Sequence, residues 1–426
     1  MVIISSGFHK THVTTAAGEA SDRGLLALAI TAAYPTARTR RIAGTLRVAD
    51  KGRVARLFER GETIPEDKLQ ALFLPELLDE VGRLLTRLPL LVRLRDHLSV
   101  ATWRLYGRLA ARKLCGASGA KIYLYRAGFG GASVERARRL GMVTLCDHAL
   151  AHPSLIEELI DNRGRLRERV DGAATTAALS GPRDLGSRVI LADIDRADAV
   201  LVNSDFVKDT FLAVGWPAER IYVVYLGVDD NFLRGEPIPP REPTSGRLPL
   251  LFAGRFERRK GADVLVEALH TLDDEVDWEL RLAGPVAPQI RSIHGAFLKD
   301  ERVRLLGTLR RPEMRSEMLS APVFVFPSYA EGSARAVFEA LACGCYVITT
   351  PNSGTIVEDG VHGSVVPPGD AECLASAISA AHRDRRRVAE IGTRNSQLIA
   401  GRYRQADYGD ALAAVYRDLV GRHEAP

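Results

Sequence analysis

No apolar run in this 426-residue chain reaches the length that crosses a bilayer, so no helical membrane span is expected. Cysteine is sparse. The five residues, at 115, 146, 343, 345 and 373, are odd in number and match no zinc spacing, which argues against a disulfide framework or a structural zinc and for reduced thiols. Cys343 and Cys345 are expected to pack around a turn at Gly344. The opening MVIISSGFHK lacks a basic region and a long apolar core. It reads as a first core strand rather than a secretory signal, and the expected location is cytoplasmic. A nucleic-acid motif is missing too, so the pI near 9.0 does not suggest a nucleic-acid partner.

What is present is an ordinary globular composition, 46% apolar and 26% charged, long enough for two or three domains. The net charge of +5 is unevenly spread. Residues 1–170 carry 28 Lys and Arg against 17 Asp and Glu, so the remainder is net negative. Two readings of the basic half stand: an anionic partner, such as a phospholipid surface, a lipid diphosphate or an acidic glycan, or a plain solvated surface. Thr36 to Arg60 is dense in arginine, and Leu69 to Leu98 reads as one or two amphipathic helices interrupted by Pro75 and Pro89. Basic faces beside leucine suit either interfacial binding or ordinary packing.

Taken in order, Val2 to Ser5 is a strand, the loop with Gly7 follows, and an Ala/Leu-rich helix is expected to about Ala33, ahead of Tyr34-Pro35. His9 and His12 read as loop or cap residues. Ala120–Tyr125 and Met142–Cys146 are strands, the second leading into Asp147-His148-Ala-Leu-Ala-His152-Pro153. Residues 154 to 190 read as helix with a loose middle from Asp171 to Gly186. Asp193-Ile-Asp195 resembles a metal motif but lies in a helical pattern, and no metal is expected there. Ala199–Ser204 is a strand, with Ser204 the expected cap of the next helix. The Pro-rich stretch from Pro237 to Pro249 reads as a linker.

Two stretches carry chemistry. Leu248 to Ala253 reads as a strand ending in Gly254-Arg255, then a polar loop, then Lys260-Gly261 and a helix. Val323 to Thr350 reads as a strand (VFVF), a loop with Glu331, a helix holding Glu339, and a strand (YVITT). Eight residues, about two turns, separate the two glutamates, so they share roughly one face. The amides of Ser333, Ala334 and Arg335 are the expected unpaired donors of a helix start, a site for an anionic group.

The E-x7-E pattern, followed by E-A-L-A-C-G and a β-branched strand, resembles the family 4 retaining glycosyltransferases of the GT-B fold (glycosyl transferases group 1). The G-R…K-G loop and the run from Asn203-Ser204 to Tyr225-Leu-Gly-Val-Asp229 are similar to that family as well. The resemblance implies an α/β GT-B protein, two doubly wound Rossmann-like domains facing a cleft. Residues 1–235 would bind acceptor and 236–405 the nucleotide sugar, with 406–426 a helix crossing back. By resemblance Glu331 touches the donor sugar, Glu339 the ribose, and Ser333, Ala334 and Arg335 lie by the sugar and diphosphate. Arg255 and Lys260, with Gly254, would bind the diphosphate, and Gly284 and Leu309 the base through backbone. Gly7 stands where the family often has a Gly-rich loop. A histidine at the end of the Met142–Cys146 strand would line the cleft; His148 and His152 compete, and His152, where the loop turns, is favoured. The chain departs from the family in reading Gly-Ser-Ala-Arg-Ala after Glu331, where Gly-Phe-Gly-Leu-Pro is usual.

The expected activity is transfer of a hexose from a UDP- or GDP-linked sugar to an acceptor hydroxyl, with retention and without metal or cofactor, in glycan, polysaccharide or glycolipid synthesis. Expected partners are the nucleotide-sugar donor, a glycan or lipid-linked acceptor, and an anionic membrane surface met by the basic half on the inner membrane face. A GT-B sugar-nucleotide epimerase, a phosphorylase and a catalytically silent membrane-associated scaffold are the rival readings.

Overall fold

The computed structural model describes residues 1–9, 11–36, 64–86, 94–114, 119–166, 184–233, 246–272 and 276–424, with Arg41 and Leu91. Its frame is two parallel sheets. The first contains β1 (Val2–Ser5), β2 (Leu26–Thr31), β3 (Leu69–Ala71), β4 (Ile122–Arg126), β5 (Val143–Asp147), β6 (Ala199–Val202) and β7 (Ile221–Val223), in the order β3-β2-β1-β4-β5-β6-β7. The second contains β8 (Leu248–Ala253), β9 (Trp278–Ala283), β10 (Val303–Gly307), β11 (Val323–Phe326), β12 (Tyr346–Thr349) and β13 (Gly363–Val365), ordered β10-β9-β8-β11-β12-β13. Each sheet therefore starts in the middle, winds one way and then the other. The reversal falls between β1 and β4 in one and between β8 and β11 in the other, and open α/β sheets bind ligands at the carboxyl ends of such neighbouring strands.

Both faces of the first sheet are covered. Val2, Ile4, Ile122 and Leu124 enter one core, and Ile3, Tyr123 and Tyr125 the other. This is the alternation that a strand imposes, and it explains a difference from expectation. The first helix stops at Asp22, Gly24 turns with φ 67°, and Leu26–Thr31 is strand β2, not helix. Its LALAI run has high helical propensity, but pairing with β1 and β3 and burial on both faces override it. Pro75 lies in the first turn of the helix Phe73–Leu85, where a missing N–H costs nothing, so it does not interrupt that helix. Pro89, Cys115, most of the arginine-dense stretch 37–60, the loose stretch 171–183 and residues 237–245 of the Pro-rich stretch lie outside the described residues.

Cys343 and Cys345 are buried on either side of Gly344. Among the described residues no helix is long and apolar enough to cross a membrane. The chain passes between cores ahead of the Pro-rich stretch and of residue 235. Leu226 packs in the first core, whereas Val228 and Phe232 pack in the second. It returns at Tyr403–Tyr408, and the helix Gln405–Glu424 lays Tyr408, Leu412, Tyr416 and Leu419 on the first sheet. The two passages are bonded side by side. Val228 N–H donates to the Tyr403 carbonyl (2.8 Å) and Gln405 N–H to the Val228 carbonyl (3.1 Å).

Candidate active site

The loops after β8 and β11 flank the second sheet's reversal, and they bring together Arg255, Lys260 and Glu331. Glu331 Oε1 accepts from Arg259 Nη1 (2.6 Å) and pairs with Lys260 Nζ (2.9 Å). Arg259 also holds the Ala330 carbonyl (2.7 Å) and reaches Glu257 (3.1 Å), which Arg255 meets with Nε at 3.2 Å. Lys260 Nζ stands 4.9 Å over the Phe326 ring at the end of β11. Arg255 remains half exposed; Lys260 and Glu331 are largely covered. The site thus holds three arginine or lysine heads around two carboxylates, a net positive cluster at the carboxyl edge of the sheet.

Gly254 and Gly284 end adjacent strands and meet backbone to backbone: a Cβ on Gly284 would lie 2.0 Å from the Gly254 carbonyl oxygen. Only glycine permits that approach. Leu309 packs half-buried on the second core in the loop after β10.

The helix Arg335–Ala342 follows Glu331 and carries Glu339 inward. Burial pushes the Glu339 carboxyl up, opposed by Arg311 and Arg335, and Arg311 Nη2 lies 3.5 Å away. Arg311 also pairs with Asp229 (2.6 Å), beside the interdomain passage. The amide of Ala334 is not the free donor expected, because it donates to the Ser353 carbonyl (3.1 Å) as the 351–354 turn folds over the loop. The amides of Ser333 and Arg335 have no acceptor among the described residues, and the Ser333 hydroxyl is buried without a partner. Arg335 lines a small interdomain cavity with His12, Gly227, Arg311 and Tyr408.

The first domain closes on these loops. Ser204 caps the helix Asp205–Leu212, accepting from Val207 N–H, and its Oγ donates to the Gly332 carbonyl (2.6 Å). Asn352 Nδ2 donates to the Gly164 carbonyl (2.6 Å), and Arg163 pairs with Glu267. Ala151 and Leu155 share an apolar cluster with Ala330, the residue before Glu331.

That cluster brings His152 to the same region. Ser154 N–H donates to His152 Nδ1 (3.3 Å), so the neutral ring carries its proton on Nε2, which is buried without a partner among the described residues. Burial, assisted by His148, pushes the His152 pKa down to about 3. His148 is differently placed: its Nε2 faces the Ala151 carbonyl (3.2 Å) within the turn. Gly7 stays with the first sheet. Its amide donates to the Tyr106 hydroxyl (3.2 Å), and its Cα packs on Phe129.

Asp193 is a structural anion. Its carboxylate accepts from the amides of Gly128, Gly130 and Gly131, fixing the loop after β4 (2.8–2.9 Å). Three features escaped the sequence reading: Arg259 as the second cation on Glu331, Arg311 at Glu339, and His12, whose Nε2 meets Asp147 Oδ1 at 2.7 Å. Arg259 had a signal, since it lies within the G-R…K-G loop. The other two pairs span 28 and 135 residues and are made by the winding of the sheets.

Residues 247–384, which contain this site, match the family model described as Glycosyl transferases group 1. The D-inositol 3-phosphate glycosyltransferase 1 of Catenulispora acidiphila is 31% identical over 273 residues, 59% of this chain and 62% of that protein. The putative colanic acid biosynthesis glycosyltransferase WcaL of Salmonella typhimurium is 27% identical over 257 residues, 55% of this chain and 62% of that protein. These matches span about three fifths of the relatives' own length. In fold the likeness runs over nearly the whole chain. The Anabaena protein HepE, solved with UDP-glucose, superposes with TM-score 0.61 at 16% identity over 98% of this chain and all of that one. The sucrose-phosphate synthase of Thermosynechococcus elongatus gives 0.61 at 17% over 99% of this chain and all of that one. The chain has the GT-B fold, and residues 247–384 of its second half are similar to the group 1 glycosyltransferases.

Proposed function

We propose that the protein transfers a hexose from a nucleoside diphosphate sugar, UDP- or GDP-linked, to an acceptor hydroxyl of a growing glycan or glycolipid. The observation that carries this reading is the convergence of Glu331 with Lys260 and Arg255 on the two loops beside the second sheet's reversal. Breaking the bond between the sugar C1 and the diphosphate oxygen leaves charge on the diphosphate. Two fixed cations, together with the amides of Ser333 and Arg335, stabilise that charge without a metal. Lys260 is held by Glu331; an arriving phosphate takes over the ammonium while Arg259 keeps the carboxylate in place. Glu331 then accepts from a sugar hydroxyl, Glu339 from the ribose, and His152 Nε2–H points a donor at the sugar or the acceptor. The backbone at Gly284 and Leu309 meets the base, and Gly254 lies with Arg255 by the diphosphate.

The acceptor oxygen forms its bond to C1 on the face the diphosphate leaves. Its proton passes to the departing phosphate oxygen, and the configuration is retained. UDP is supported as the nucleotide by the solved neighbour that holds UDP-glucose, and polysaccharide assembly by the name of the colanic acid relative.

The test is a thermal shift with UDP, GDP and ADP, on the wild type and on Glu339→Gln. Saturating ligand at a hundred times its dissociation constant stabilises by about 2.7 kcal/mol. One nucleotide is expected to shift the wild type and to bind the variant at least about tenfold more weakly, a lost charged hydrogen bond. A well-folded protein that none of the three shifts would refute the reading.

A further inference from the structure

Arg311 stands where a helix disfavours a cation. It opens the helix Arg311–Ser320, at the end where the aligned peptide dipoles present positive charge. The turn that puts it there is fixed. Arg310 N–H donates to Glu313 Oε2 (2.8 Å), and Pro312 occupies the first turn. A side chain held against the local field is compensated from elsewhere, and such local conflicts gather at functional positions. Here two acids from distant parts of the chain compensate it. Arg311 Nη1 donates to Asp229 Oδ2 (2.6 Å), and Nη2 faces Glu339 Oε1 at 3.5 Å. The guanidinium also stands 5.9 Å over the Phe232 ring. These contacts fix a side chain that is otherwise half exposed.

The two acids are not equivalent. Asp229 closes on the guanidinium as a tight pair and sets its orientation. Glu339 is left at a distance long for a charge-assisted hydrogen bond, so its oxygens keep the capacity to accept from other donors. Burial pushes the Glu339 carboxyl up, and Arg311, ahead of Arg335, opposes that push. Arg335 lies one turn back on Glu339's own helix and forms no ion pair with it among the described residues. Arg311 reaches Glu339 from a different helix, and so fixes the carboxylate against the edge of the sheet. It follows by two residues Leu309, whose backbone is assigned to the base.

We propose that Arg311 is a positioning residue of the nucleoside site: held by Asp229, it aims the Glu339 carboxylate at the ribose hydroxyls of the donor. The proposal rests on the sugar-nucleotide reading above and adds a residue that acts through Glu339, not by touching the donor. It also puts the ribose carboxylate and the interdomain passage on one guanidinium, because Asp229 follows directly on Val228.

Titration calorimetry with UDP and with 2′,3′-dideoxy-UDP, which lacks both ribose hydroxyls, tests it on the full chain; GDP and its dideoxy analogue serve if GDP is the nucleotide that binds. The wild type is expected to prefer UDP at least about tenfold, the two lost hydroxyls having met a carboxylate. Arg311→Gln should weaken UDP at least about fivefold and the dideoxy analogue less than about twofold. Its melting temperature should stay within a few degrees of wild type, as for a half-exposed side chain. Arg310→Gln, next door and paired with Glu313, should leave both ligands within about twofold. A brace of the interdomain passage alone would weaken both ligands alike in Arg311→Gln, and that result overturns the proposal. So does an unchanged affinity for UDP, an equal loss in Arg310→Gln, or a wild type that binds the two ligands equally; in each case the nucleotide site itself stands. A wild type that binds neither UDP nor GDP defeats the sugar-nucleotide reading and the proposal with it.

Discussion

Lys260→Ala separates the chemistry of the site from its stability. Lys260 Nζ pairs with Glu331 at 2.9 Å and sits over Phe326 at 4.9 Å, but Arg259 holds the same carboxylate oxygen at 2.6 Å. Deleting the lysine therefore leaves Glu331 neutralised. The fold loses one partly screened ion pair and one cation–π contact, together about 1–2 kcal/mol, or a few degrees of melting temperature. Turnover loses more. Removing one fixed donor from a developing oxyanion costs about 2.7–4 kcal/mol, a fall of about 100- to 1,000-fold in kcat. Release of nucleoside diphosphate at saturating donor, measured beside thermal melts of both proteins, reads the two effects apart. Lys260→Ala with kcat within about threefold of wild type would refute the assignment of the leaving-group cation. So would a loss of activity that follows unfolding alone.

Two further outcomes come from the cleft wall. His152 is neutral and buried with a pKa near 3, below its unfolded value, so its contribution to stability is complete above pH 6.5 and lost as pH falls from 6.5 toward 3. The wild-type unfolding free energy should fall over that window by up to about 1.4 kcal/mol per pH unit, read by denaturant melts, and His152→Phe, which keeps a ring of similar size, should flatten the slope; an unchanged slope means His152 is solvated. Gly332→Ala would place a Cβ 1.9 Å from the Ala149 carbonyl oxygen, so the domains cannot meet as they do here. Its radius of gyration by X-ray scattering should rise and its kcat/KM fall at least about tenfold; a variant as compact and active as wild type would show that the Ala149–Gly332 contact is not made in solution.

The sheet frame was legible where apolar runs are short and bounded by Gly or Pro. β8, β9 and β11 lie where LPLLFA, WELRLA and VFVF suggest, and the G-R…K-G and E-x7-E loops fall at the carboxyl ends of β8 and β11. Leu26–Thr31 was misread because alanine and leucine serve a helix or a doubly buried strand equally well, and only pairing with β1 decides. The helix Phe73–Leu85 showed its amphipathic period but not its polarity: a period says that two faces differ, not which one turns inward. Arg259 and Arg311 were hidden for another reason. A surface arginine and one that clamps a glutamate look alike in sequence until the sheet order sets loops side by side. Ala334 failed as a donor because the carbonyl that captures its amide comes from Ser353, beyond the next strand.

The paired passage at Val228 and Tyr403–Gln405 has mechanical meaning. A single strand joining two bodies would let them swing, twist and slide. Two segments joined by a bridge of two hydrogen bonds make a short ribbon, stiffer in its own plane than when bent across its width. The backbone of Gly227 lies against that of Arg404, with no room for a side chain between them, so the ribbon is also thin where it bends. Such a ribbon would leave one bend as the softest relative movement of the two domains, and here the Ser204–Gly332 and Asn352–Gly164 hydrogen bonds hold that bend.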